Sequence, residues 1–508
     1  MTQSTRGFLL LTLGALLVAP VVPVVAQQPA AAAAAAPANA CPVDLMQPGP
    51  LGIASLQRQR VMNAKTAEDA GKGIKDALKQ VFDDKTKSNP LGRDLLAGQF
   101  LVLGMEFIET STRGNLGLPG DKNAAVDIPV FVDSLFTGVE KAQPTCVTET
   151  EQWRQYKWYQ AKIQAAYKAI NAGQLDSAEK LAKRALVMSR AGAQGYDVLW
   201  RVAKGRGDEA GQLTNLRIAA DKLSGDTLNS NVRSNLLFNL GRIQQEWAEK
   251  KQGEAKARQY HESGETFLQE MKEFPSADET QYAVQMLGMA FTMSKDTTQV
   301  VSALSMMKAN SAKYSDFALA QAAVLATRLS RTADAVALFE AAQKFNPWQR
   351  DYLYNYAAML YESKRSEEMQ PVLRKLIALD PSNPDNILLF AYSFKGLSDN
   401  EKDAAKKKAL IDSVAYYGKI ADEMPHKVSY TEFDRLAEKT SLKGQIENKS
   451  TKDRSFVIEF DFLDKTGASV GKATANVGPV KPNGLGDFAV EIPKGGVSGV
   501  RYMALPLK

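Results

Sequence analysis

Residues 316–349, DFALAQAAVLATRLSRTADAVALFEAAQKFNPWQ, and residues 350–383, RDYLYNYAAMLYESKRSEEMQPVLRKLIALDPSN, repeat one pattern. Pro347 and Pro381 stand 34 residues apart. Counting back from each, Leu319 matches Leu353, Ala323 matches Ala357, Ala335 matches Met369, Phe339 matches Leu373 and Ala342 matches Leu376. The same interval relates Gly173 to Gly207 and Ala185 to Ala219. A period of this length marks stacked helical hairpins, none of which can bury its apolar face alone. Small residues such as Ala323 and Ala357 let the two helices of a hairpin approach. Phe339 or Leu373 fills the gap to the next hairpin, so three or more units build a continuous core.

The units resemble the tetratricopeptide repeat, whose first helix carries a bulky residue, a Leu-Gly pair and a Tyr, and whose second carries Ala, Phe and Pro. Ala178, Ala185 and Leu186 hold second-helix positions of a unit starting near Tyr159, and Leu240-Gly241 and Leu287-Gly288 supply the Leu-Gly pair elsewhere. Starts fall near residues 159, 193, 234, 281, 316, 350 and 384. The third and seventh units need about ten extra residues to restore register with Pro275 and Pro425, so longer loops or helices are expected there. The array is predicted over 151–442, ending in a capping helix from Val428 to Leu442.

After Lys443 the period changes to two. Phe456, Ile458, Phe460 and Phe462 alternate with Ser455, Val457, Glu459 and Asp461, the mark of a strand with one buried face. Further strands are predicted over Ala468 to Val477 and around Phe488 to Ile492 and Val500 to Ala504, with turns at Gly478-Pro479 and Pro482-Asn483-Gly484. Phe460-Asp461-Phe462-Leu463-Asp464 with Gly467 is similar to the FxLYD domain, which implies an immunoglobulin-like β-sandwich over 443–508 and no chemistry of its own. The expected fold is mainly α: a TPR-type α-solenoid of helical hairpins, followed by a small all-β immunoglobulin-like C-terminal domain.

Upstream, residues 1–26 begin with Arg6, continue through an apolar run to Ala19 and end in Val24-Val25-Ala26, the pattern of a cleaved signal peptide. Pro20 and Pro23 interrupt a run too short to span a bilayer, so no membrane span is expected in the mature chain. Residues 27–50 are expected to form an Ala/Pro-rich disordered linker, and 51–150 a helical N-terminal region with Leu96, Phe100, Leu103 and Phe107 on one face. The Gly-spaced stretch from Ser111 to Asp127 reads as an exposed connection, because it follows a helix and lacks a Gly-Lys-Ser/Thr ending. Cys41 and Cys146 are the chain's two thiols, and export makes a disulfide between them the expected outcome, in a periplasmic or secreted protein. Lipidation of Cys41 is the alternative, disfavoured by Ala38-Asn39-Ala40 before it.

Over 508 residues the formal net charge is +6, spread along the chain, which argues against a nucleic-acid partner. With 2 His and 2 Cys, most metal sites and His- or Cys-based catalysis have too few residues, and no cofactor is implied. His261 and His426 read as solvated, Arg206-Gly207-Asp208 as a turn, and Asp461 and Asp464 as turn-flanking rather than calcium ligands.

Register places Tyr354, Tyr361 and Tyr392 on first helices facing a concave groove, as anchors for a protein or peptide partner. Tyr356 falls in the hairpin interior. Family members that clamp a C-terminal carboxylate carry Lys and Asn in the groove. Here the equivalent positions are Ile163 and Tyr167, Asp197 and Arg201, Ala320 and Val324, Tyr354 and Ala358, and Leu388 and Tyr392, so an apolar or mixed groove is expected instead. The function expected is an exported non-catalytic scaffold. The alternative is an envelope polysaccharide-processing or hydrolytic factor with an acidic pair in the groove, for which no pair is singled out.

Overall fold

The structure of the protein, a computed structural model, describes residues 41–42, 54, 57–83 and 89–506. The expected signal peptide 1–26 lies outside them, as does the linker apart from its piece at 41–42. The chain divides into two compact units, up to Leu236 and from Leu237 onward.

In the first unit the helices Ala67–Val81, Pro90–Gly104 and Ile128–Ala142 bury one shared core, in which Ile74, Leu96, Phe100 and Phe136 are fully enclosed. Phe107 falls outside the helix that its spacing suggested and is exposed. The stretch from Ser111 to Asp127 is a small ordered device rather than a plain connection: strands β1 (Thr110–Thr112) and β2 (Ala125–Asp127) pair antiparallel around the short helix Arg113–Leu116. Two hairpins follow, Lys157–Asn171 with Leu175–Met188 and Ala193–Arg206 with Glu209–Lys222. Trp158, Tyr159, Ile163, Ala185 and Met188 of the first hairpin join the N-terminal core, so the preceding helices cover its otherwise open face.

Arg154 fastens that junction. Its guanidinium is buried and holds Asp133, Glu140 at 3.2 Å, and the Met188 carbonyl at 2.9 Å. Cys41 and Cys146 are disulfide-bonded across 105 residues.

The second unit continues with long helices, Ser230–Glu249 (in which the unit boundary falls) and Gly253–Glu273, and then the hairpins Thr280–Ser294/Thr298–Ala309, Asp316–Arg328/Thr332–Phe345 and Arg350–Glu362/Ser366–Leu379. The last hairpin, Pro384–Asn400 with Ala404–Glu423, is again long. The extra residues of the third and seventh repeats thus lengthen helices rather than loops. Leu319, Ala323, Ala335, Phe339 and Ala342 and their matches 34 residues on are all buried in one cluster.

Residues 428–442 correct the expected capping helix. They are strand: β3 (His426–Arg435) pairs antiparallel with β4 (Thr440–Asn448), so the sheet begins well before Lys443. A bulge between Tyr430 and Glu432 breaks the two-residue alternation, so that Val428, Tyr430 and Phe433 are unevenly spaced and no strand period shows. Two three-stranded antiparallel sheets result, β3-β4-β7 and β6-β5-β8, with β5 Arg454–Leu463, β6 Ser469–Val480, β7 Leu485–Ile492 and β8 Gly499–Tyr502. Phe456, Ile458, Phe460 and Phe462 fill the shared core with Phe488, Val490 and Ile492. Gly478-Pro479, expected as a turn, lies inside β6, and the chain turns only at 481–484. No helix among the described residues is long and apolar enough to cross a membrane.

Candidate interaction face

Gln349 and Asn383 start the first helices of the last two hairpins by accepting hydrogen bonds from Asp351 N and Asp385 N, which places Tyr354, Tyr361 and Tyr392 in register. Tyr354 and Tyr361 are seven residues apart on Arg350–Glu362, two turns along one stripe. The next hairpin brings Tyr392 against Tyr361, with ring centroids 5.7 Å apart and planes 26° from parallel. Tyr392 is 39% exposed and Tyr361 half-buried, so the pair offers one continuous aromatic surface. Tyr354 is half-buried against the repeat core, where burial first and Asp385 second raise its hydroxyl pKa. Tyr356, on the opposite side, is buried as register predicts.

The other groove positions divide. Leu388 is exposed beside Tyr392, whereas Ala320 and Ile163 are buried. In the first unit the expected polar positions are already occupied by one another. Tyr167 donates to Asp197, Trp200 donates to it at 2.7 Å and Arg201 at 3.0 Å, leaving Asp197 enclosed. That network is a packed brace rather than an open ligand surface. Register alone did not mark Tyr282, Met289 and Met293, which are exposed on the first helix of the fourth hairpin. They stand at i, i+7 and i+11, one face of that helix, and only the packing of the neighbouring helices leaves this face open.

Of the carboxylates at this end, Asp385 pairs with Lys427 at 2.7 Å and Asp399 with Lys395 at 2.9 Å. Among the described residues no group of three or more His, Cys, Asp or Glu is placed to hold a metal ion. Asp464 accepts from Thr466 N and Ala468 N and so closes a turn, while Asp461 is enclosed by Ser469 and Arg501. Gly207 is left-handed and Asp208 caps the next helix, which accounts for Arg206-Gly207-Asp208 as a turn. His261 is half-buried, its ring edge-on to Phe291 at 5.9 Å, and His426 corrects the expected solvated side chain outright. It is fully buried beside Phe456, neither ring nitrogen has a hydrogen-bond partner, and burial together with Arg454 lowers its pKa to about 4.

A second set of residues was invisible to sequence reading. Arg350, at the start of the sixth hairpin, pairs with Asp380 at 2.6 Å, and Asp380 also accepts from Tyr502 and from Asn386 at 2.8 Å. Burial alone would lower the Arg350 pKa, yet Asp380 and then Asp351 raise it. Its guanidinium lies 4.5 Å from the Tyr430 ring centroid. Tyr502 and Tyr430 belong to the sheets, Arg350 and Asp380 to the repeats, so this cluster seats the β-module on the inter-repeat turns. Val428 N donates to the Ser382 carbonyl at 3.0 Å and Trp348 Nε1 to the Lys465 carbonyl at 3.2 Å. Leu463, the last residue of β5, joins the helical core.

No family model matches the chain, and no curated protein does. Among solved structures, Pseudomonas aeruginosa pilF is 17% identical with a TM-score of 0.22, over 52% of this chain and 89% of that chain. A thermophilic TPR protein of Thermus thermophilus is 16% identical, TM-score 0.23, over 40% and 98%. A tetratricopeptide repeat protein of Parabacteroides merdae is 16% identical, TM-score 0.25, over 52% and 98%.

Proposed function

We propose that this chain is an exported, non-catalytic repeat scaffold of the bacterial envelope that binds a protein or peptide segment on the face carrying Tyr354, Tyr361 and Tyr392. The observation that carries the reading is the stacked, partly exposed Tyr361–Tyr392 pair on two adjacent hairpins. Rigid aromatic rings bury much apolar area for little lost rotamer freedom, the property of interface anchors. Export is supported by the signal-like residues 1–26 and by the Cys41–Cys146 disulfide, a bond that persists in oxidising compartments. The β-module, FxLYD-like in its Phe460–Gly467 stretch, is the second contact surface or spacer.

The test is affinity capture from an envelope extract with wild type, Tyr361→Ala and Tyr392→Ala. A specific chain retained by wild type and lost from both variants at unchanged helicity and melting supports the reading, the loss being roughly 2 kcal/mol or more for a true anchor. Normal retention by both variants, with loss in Val457→Lys on the exposed outer face of β5, assigns recognition to the β-module and overturns it.

A further inference from the structure

The helix Ala404–Glu423 ends the repeat array, and no hairpin follows to cover it. One side lies on the preceding helix, where Tyr417 meets Phe390 and Phe394 and Ala421 is buried. The other side bears Lys408, Ile411, Asp412, Ala415, Gly418, Lys419 and Asp422, which recur at helical spacing over about four turns. Ile411 is 50% exposed there. A Cβ added at Gly418 would meet nothing within 4 Å. Glycine in a helix interior costs about 1 kcal/mol relative to alanine, so an open notch at this position is unfavourable unless something approaches it.

We infer that this face pairs with the same helix of a second copy of this chain, the two running antiparallel about a twofold axis at Ala415. The charge order argues for a copy of itself. Lys408 and Asp422 lie seven residues to either side of Ala415, so the antiparallel pair sets Lys408 of each copy opposite Asp422 of the other. Asp412 comes opposite Gly418, beside Lys419, whose ammonium lies 3.7 Å from Glu423 of its own helix in an exposed pair that Asp412 of the other copy can join. Ile411 comes opposite Lys419, one residue along from the Gly418 notch, and Ala415 at the axis permits close approach. A parallel pair would oppose Lys408 to Lys408 and Asp422 to Asp422, which is repulsive. The surface is isologous, as a closed twofold contact requires. One helix pair buries less than a standard interface, so the dimer is expected to be weak and to form only as concentration rises.

Sedimentation of the protein as the cell processes it, across a concentration series, tests this. Wild type is expected to pass from monomer to dimer, more weakly at high salt. Lys408→Glu, at an exposed position, should remain monomeric and folded by circular dichroism, and Lys408→Glu with Asp422→Lys should dimerise again. Ala415→Cys carries the chain's single free thiol, because Cys41 and Cys146 are bonded, and should cross-link two copies on mild oxidation. A monomer at every concentration overturns the proposal, even if the face then captures a different protein. So does a dimer that Lys408→Glu leaves intact, or cross-linking of Lys408→Cys in place of Ala415→Cys.

Discussion

Four residues 34 apart in pairs set the corner of the hairpins. Gly173 and Gly207 adopt φ of 72° and 70°, and Ser330 and Lys364 adopt 57° and 58°. At each corner the following N–H reaches back to the carbonyl five residues before it, as Gln174 does to Ala169, Asp208 to Ala203, Arg331 to Ala326 and Arg365 to Leu360. This is the Schellman closure, which favours glycine in the left-handed position. Lys364 is exposed and holds that conformation at a cost of roughly 1–2 kcal/mol, partly offset by glycine's greater freedom in the unfolded chain. Lys364→Gly is therefore expected to stabilise the array by about 0.5–1 kcal/mol, read as a higher denaturant midpoint.

His426 makes the opposite kind of prediction. The folded chain keeps it neutral down to about pH 4, whereas the unfolded chain protonates it near its ordinary value. Its contribution to stability is present above the unfolded pKa and is lost as pH falls from there toward the folded one. Between pH 7 and pH 5 wild type should lose about 2 kcal/mol more than His426→Leu, measured by urea unfolding at each pH.

At the scale of elements, the β-module and the last repeats share one buried ion pair. Asp380→Ala leaves the Arg350 guanidinium enclosed without its carboxylate, and should cost about 3–5 kcal/mol. Gly499→Ala strikes the same junction sterically, since its Cβ would overlap the Trp348 carbonyl oxygen. Limited proteolysis should cut first between Glu423 and Val428 in both variants, and equal resistance to wild type would refute a docked module. None of this was legible in the sequence. Arg350 and Tyr502 each look like an ordinary surface or strand residue until packing brings them to Asp380. The strand β3 was missed for a related reason: its bulge removes the period-two signal, and only pairing with β4 restores it.

At the scale of the whole molecule, the disulfide lies wholly within the first unit. Replacing Cys41 and Cys146 by Ser reopens a loop of 105 residues, worth at most about 4.7 kcal/mol in the chain-entropy model. Hydrogen exchange should accelerate in Pro90–Gly104 and Ile128–Ala142 and stay unchanged in β5. Uniform acceleration across the chain would count against this assignment. The sequence by itself determined the helical hairpins, their starts and their long third and seventh members, because a 34-residue recurrence of small and large apolar side chains has one way to be buried. It likewise determined the core of β5 through strict alternation, and the pairing of the chain's two cysteines. Tertiary structure alone decided which register positions remain open. Tyr361 and Tyr392 meet at a surface while Asp197 and Arg201 close on each other, because exposure depends on what the neighbouring helix presents. It alone decided too that the β-module sits on the Arg350–Asp380 pair, since a contact between groups 122 residues apart, Tyr502 and Asp380, leaves no local pattern in the chain.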